Sequence, residues 1–192
     1  MVAATSDVIF MRGLDVFGGV VDRVEDGAWS ASAPCEGWTA LDVLGHLGSA
    51  IQFGVAVLQG EAFGWPTVDR PADLVVGEPK AYWATISTRA RSALEGVDLR
   101  AEVDTPLGKR TVAEGLAFPA IDLFVHAWDI GRAADLLVEV PDDVIEFSHA
   151  YIDPMPTEVV RGPNGAFGPE IEPPDDATPT ESFIGWTGRN PR

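Results

Sequence analysis

Apolar residues recur three and four positions apart over most of this chain, the spacing of one buried face on an α-helix. Val8, Ile9, Leu14, Phe17, Val21 and Val24 predict a first helix over residues 6–27, capped by Ser6 or Asp7. The loop WSASAPCEGW follows, broken by Pro34 and Gly37. A second helix starts at Thr39, where Thr39 and Asp42 stand in the relation of a capping box, and it runs to Gly60. Its apolar residues Leu41, Leu44, Leu47, Ile51, Val55 and Leu58 are joined by Val43 and Phe53 on other sides, so it is buried most of the way round. A long Pro- and Gly-containing connection over 61–78 leads to a third helix over 79–95, with Pro79 in its first turn.

Next, LRAEVDTPLGKRTV predicts a small hairpin around a Leu107–Gly108 turn. A fourth helix covers 112–135, with a kink or break expected near Phe118 because Pro119 lies inside it. A fifth covers 141–151, with Asp142 and Asp143 near its positive end. Residues 154–174 are rich in Pro and Gly and read as a loop or short strands, with Val159, Val160, Phe167 and Ile171 to bury. A last short helix begins at Thr178, where Thr178, Pro179 and Glu181 form another capping set, and stops near Gly188. The pattern is all-α: an antiparallel four-helix bundle with long connections over 1–153, and a C-terminal extension over 154–192 packed on it as part of one domain.

Charge narrows the partners. Acids outnumber bases 30 to 13, for a net charge of −17. A nucleic-acid binder needs a basic surface that displaces counterions, and an anionic membrane makes the same demand, so neither is an expected partner. No run reaches the roughly 18 uninterrupted apolar residues of a membrane span, and no basic segment precedes an apolar run at the N-terminus. The single cysteine, Cys35, excludes an internal disulfide and fits a reducing cytoplasm.

Candidate chemistry concentrates in IDLFVHAWDIGRA, residues 121–133. On a helical wheel His126 falls about 40° from Asp122 and Asp129 about 20° to the other side. A carboxylate and an imidazole one turn apart can grip one metal ion, and His46, mid-way along another apolar helix, is a third ligand if the two helices pack together. Spacing alone leaves a second reading open, a hydrogen-bonded polar pair that sets helix register. The remaining candidates are weaker. Asp129 can hold the second N–H of His126, or be an exposed helix charge or a structural cap. Nothing basic stands near Cys35 in sequence, which favours a buried loop thiol. His149 reads as surface or packing. Trp38, Trp128 and Trp186 read as packing that could also wall a pocket. Arg132 and Arg161 read as surface partners for the many acids.

Three stretches carry a resemblance. PCEGWTALDVLGHL (34–47), DLFVHAWDIGRA (122–133) and the tail with GAFGPEIEPPDDA and GWTGRNP resemble the DinB-like superfamily, and within it the mycothiol-dependent maleylpyruvate isomerase group of actinobacteria. The resemblance implies a metal held by His46, Asp122 and His126, with zinc the default cation, and Asp129 behind His126. It implies a metal-dependent enzyme that uses a low-molecular-weight thiol such as mycothiol for S-transfer or isomerisation of a small molecule, and it makes a homodimer plausible. Asp122 is a departure, since the isomerase itself has glutamate there. The isomerase also carries a further C-terminal domain that helps form its active site. The shorter tail here keeps a non-catalytic metal- or metabolite-binding role as the alternative.

Overall fold

The computed structural model describes residues 5–105, 108–161 and 165–192. They form two compact units, Thr5–Val138 and Glu139–Arg192.

In the first unit, four helices make the core: α1 (Ser6–Arg23), α2 (Ala40–Gln59), α3 (Pro79–Leu94) and α4 (Val112–Ala133). Helix α4 packs against both α1 and α2, and α3 closes the ring against the same two helices. This is the expected all-α arrangement of four helices, with one small hairpin added. In that hairpin β1 (Glu102–Thr105) pairs antiparallel with β2 (Gly108–Thr111), Glu102 opposite Thr111 and Thr105 opposite Gly108. Leu107 of the expected turn lies outside the described residues.

Local chemistry accounts for where the helices start. Thr39 accepts the N–H of Asp42 while the Asp42 carboxylate accepts the N–H of Thr39, and Thr111 and Glu114 repeat the arrangement at α4. Two orphan donors are satisfied each time. Helix α2 is long and apolar enough to cross a membrane by length and composition, but 78% of that stretch is buried within the protein. Contact with both α3 and α4 accounts for its hydrophobicity. Helix α1 differs slightly from its pattern: Val8 is half exposed, while Phe10 and Val20 join Ile9, Leu14, Phe17 and Val21 in the core. It also ends at Arg23, and a short 3-10 turn over Asp26–Ser30 buries Trp29.

Of the kink or break expected near Phe118 in the fourth helix, the break is absent. Helix α4 runs unbroken through Pro119, which is buried against α2 where Gly54 presents no side chain to the ring. Tertiary packing there outweighs the one lost hydrogen bond.

In the second unit, α5 (Asp142–Ile152), α6 (Thr157–Arg161) and α7 (Pro179–Trp186) surround a small aromatic cluster. The predicted capping set holds, with Thr178 and Glu181 exchanging hydrogen bonds at α7. Part of the segment expected as loop or strand is instead the helix α6. Of its apolar residues Val160 and Phe167 are buried, whereas Val159 and Ile171 are more than a third exposed. The Arg161 guanidinium donates to the Gly168 carbonyl at 2.6 Å and pairs with Glu170 at 3.0 Å, lying over the Phe167 and Trp186 rings. Those contacts stitch α6 to the segment behind it.

Candidate functional site

The close approach of α2 and α4 brings the candidate residues together. His46 and Asp122 are part-buried, and His126 is 5% exposed. Each offers a ligand atom, and these atoms all lie within 4.8 Å of one another. The His46 and His126 ring centroids are 5.0 Å apart, nearly edge to face. The shorter Asp122, standing where the resemblance implies glutamate, still reaches the two imidazoles.

Behind them lies a buried carboxylate. Asp129 has no solvent exposure, and its Oδ2 accepts from His126 Nδ1 at 2.8 Å. An exposed helix charge is therefore excluded for Asp129. With Nδ1 on Asp129, Nε2 is the His126 nitrogen available to the set with His46 and Asp122. Burial pulls the His126 pKa down, but the hydrogen bonds from Asp129 and Cys35 and the charges of Asp129 and Asp122 outweigh it, raising it to about 9. The pocket thus favours positive charge at this ring.

A turn delivers two more side chains. The Trp38 N–H donates to the Cys35 carbonyl, and Gly37 between them takes the left-handed conformation at φ 75°. Glycine is the residue that adopts this without strain. A bridge between Ser32 and Thr39 closes the loop onto the start of α2. Its two ends then face the site. The Trp38 ring lies 5.0 Å from that of His46. The Cys35 thiol donates to Asp129 Oδ2 at 3.3 Å. Cys35 lies in a loop as expected, but it is part-buried and its thiol meets a residue of the candidate site. Sequence neighbours could not reveal this, because the partner is 94 residues away. The PCEGW stretch was the one local signal.

Other candidates lie elsewhere. Trp128 is buried and Arg132 lies over its ring. His149, in the second unit, packs 4.3 Å from Trp186 and bonds Asp153 at 3.2 Å, as expected of a packing residue. A groove of about 420 Å³ lined by Gln52, Tyr82, Thr85, Ile86 and Arg89 runs between α2 and α3, and none of the three clustered residues lines it.

Known proteins place the chain. No curated protein matches it. A crystal structure of a histidine-to-alanine mutant of the mycothiol-dependent maleylpyruvate isomerase superposes with a TM-score of 0.57 at 14% identity, covering 86% of this chain and 72% of that one. At that identity the likeness concerns the fold. The family described as the mycothiol maleylpyruvate isomerase N-terminal domain matches residues 10–131, which span α2, the PCEGW turn and nearly all of α4. With well over half its length matched, the chain belongs to the mycothiol maleylpyruvate isomerase N-terminal domain family, a DinB-like group.

Proposed function

We propose that this protein is a metal-dependent enzyme that uses a low-molecular-weight thiol of the mycothiol type to transfer sulfur to, or isomerise, a small electrophilic molecule. The observation that carries the reading is the convergence of His46, Asp122 and His126 within 4.8 Å, with His126 Nδ1 held by a fully buried Asp129. Two imidazoles and one carboxylate with open positions suit a catalytic cation, and zinc is the default for that set. Family membership supports the thiol, since the structural relative is described as mycothiol-dependent.

The donor set fits the cation on chemical grounds. Asp129 holds the proton on His126 Nδ1, so Nε2 is the nitrogen that would give up its own proton and offer a lone pair to a cation. Asp122 brings the negative charge that offsets a divalent ion. When bound, the cation lowers the pKa of a thiol brought to it, so that a thiolate is available near neutral pH. The chain's own residues do the rest. His46, Asp122 and His126 orient the site, and Trp38 flanks His46 with an apolar face against which a flat, unsaturated substrate can lie. Asp129 holds the His126 tautomer. A reducing cytoplasm suits such thiol chemistry.

The test is elemental analysis of untagged protein purified without chelator, with His46→Ala alongside, followed by incubation with mycothiol and maleyl-type electrophiles. About one equivalent of zinc in wild type, lost in the variant, together with a thiol adduct or isomerised product, is the expected result. A protein that takes up no metal on reconstitution refutes the reading. Metal without any turnover would turn it to the non-catalytic binding role.

A further inference from the structure

His126 has two ring nitrogens, and the proposed metal set uses one of them. The other edge of the ring faces a second donor cluster. Cys35 Sγ, Asp129 and His126 also bring ligand atoms within 4.8 Å of one another. Both the thiol, at 3.3 Å, and His126 Nδ1, at 2.8 Å, meet the same oxygen, Asp129 Oδ2. Asp129 is fully buried and His126 nearly so, while Cys35 is only part-buried at the tip of the turn, which leaves a path from solvent. A wholly buried carboxylate is costly unless cations or donors meet it.

We propose that Cys35, Asp129 and His126 Nδ1 form a second metal site, selective for thiophilic divalent cations. The donor set is softer than the His46–Asp122–His126 set, because it contains a thiol that binds as thiolate. Binding displaces two protons to solvent, one from Cys35 Sγ and one from His126 Nδ1, and the cation replaces both hydrogen bonds to Asp129. The two sets meet at one imidazole, so a soft cation on the Cys35 side removes the Nδ1–Asp129 bond that positions the ring for the other set. The site therefore gives thiophilic metals a way to disturb the proposed catalytic centre. It does not require that centre to be catalytic, or even to hold metal.

Cadmium is the probe. Titrating reduced wild-type protein with Cd²⁺ should raise a thiolate-to-metal charge-transfer band in the ultraviolet that saturates at about one equivalent of bound thiolate. Cys35→Ser, a mild change at a part-exposed turn, should abolish the band. Asp129→Asn should weaken the affinity read from the band by about tenfold or more. His46→Ala should keep it. X-ray absorption at the cadmium edge should find sulfur together with nitrogen and oxygen neighbours, a readout that needs no variant to fold. No band in wild type overturns the proposal. So does a band whose cadmium has sulfur but no nitrogen neighbour, or whose affinity is unchanged in folded Asp129→Asn, since a lone thiol then explains it. Zinc content of Cys35→Ser compared with that of His46→Ala judges the His46–Asp122–His126 set separately, so either site can fail without the other.

Discussion

Raising the pH of metal-free protein from about 6 to about 9.5 should remove roughly 3 kcal/mol of folding stability. The argument rests on His126. Folding buries its ring, which by itself disfavours the charged form, but the Asp129 and Cys35 hydrogen bonds and the charges of Asp129 and Asp122 prevail and lift the pKa from 6.5 to about 9. A group whose pKa is raised on folding binds its proton more tightly in the native state. Its contribution is complete below the unfolded value of 6.5 and is lost as pH climbs through about 9. Across that window the slope approaches about 1.4 kcal/mol per pH unit. Urea unfolding followed by far-ultraviolet circular dichroism, on chelator-treated and then dialysed protein, measures it. His126→Gln should flatten the profile, even though it lowers stability overall by leaving Asp129 without its imidazole partner. Zinc should reverse the sign, because the metal needs the deprotonated nitrogen and competes better as pH rises. A wild-type, metal-free profile that is flat or rising between about pH 6.5 and 9 would show that the His126–Asp129 pair does not hold charge, and the electrostatic account of the site would fall.

Other perturbations test the frame around the site. Asp122→Asn should weaken zinc binding by about tenfold or more and shrink the zinc-induced rise in Tm, measured by differential scanning fluorimetry; an unchanged rise would remove Asp122 from the ligand set. Gly45→Ala would drive a methyl into the Pro71 carbonyl oxygen, so the segment beside α2 must move and stability should drop by about 2 to 3 kcal/mol in urea melts. An Ala variant as stable as wild type would mean that the contact yields freely. Burial raises the Asp42 pKa, but the bonds from Thr39, Arg70 and Ala72 overcome it and hold it at about 2, so its contribution is present above 3.8 and lost as pH falls through about 2. Asp42→Asn should cost about 1 to 2 kcal/mol at neutral pH, the Arg70 share being small because that side chain is over half exposed. It should also reduce acid sensitivity, which melts at about pH 3 would check.

What the sequence determined by itself was whatever rests on neighbours within a turn or two. The four long helices follow from apolar spacing of three and four, and the starts at Thr39 and Thr178 follow from capping partners three residues on. The Asp122–His126 pairing is equally local, since i and i+4 share a face in any helix. Tertiary structure decided the rest. Whether His46 reaches that pair depends on how closely α2 approaches α4. Whether Asp129 is an exposed charge or a buried acceptor depends on the turn at Cys35, distant in sequence but in contact at 3.3 Å. Pro119 reads as a breaker from its own chemistry, yet packing on α2 holds the helix through it. Capping and periodicity are short-range energies that can be read along a chain. The site depends on side chains from three separate segments meeting in a buried space, and only the packed bundle sets that separation.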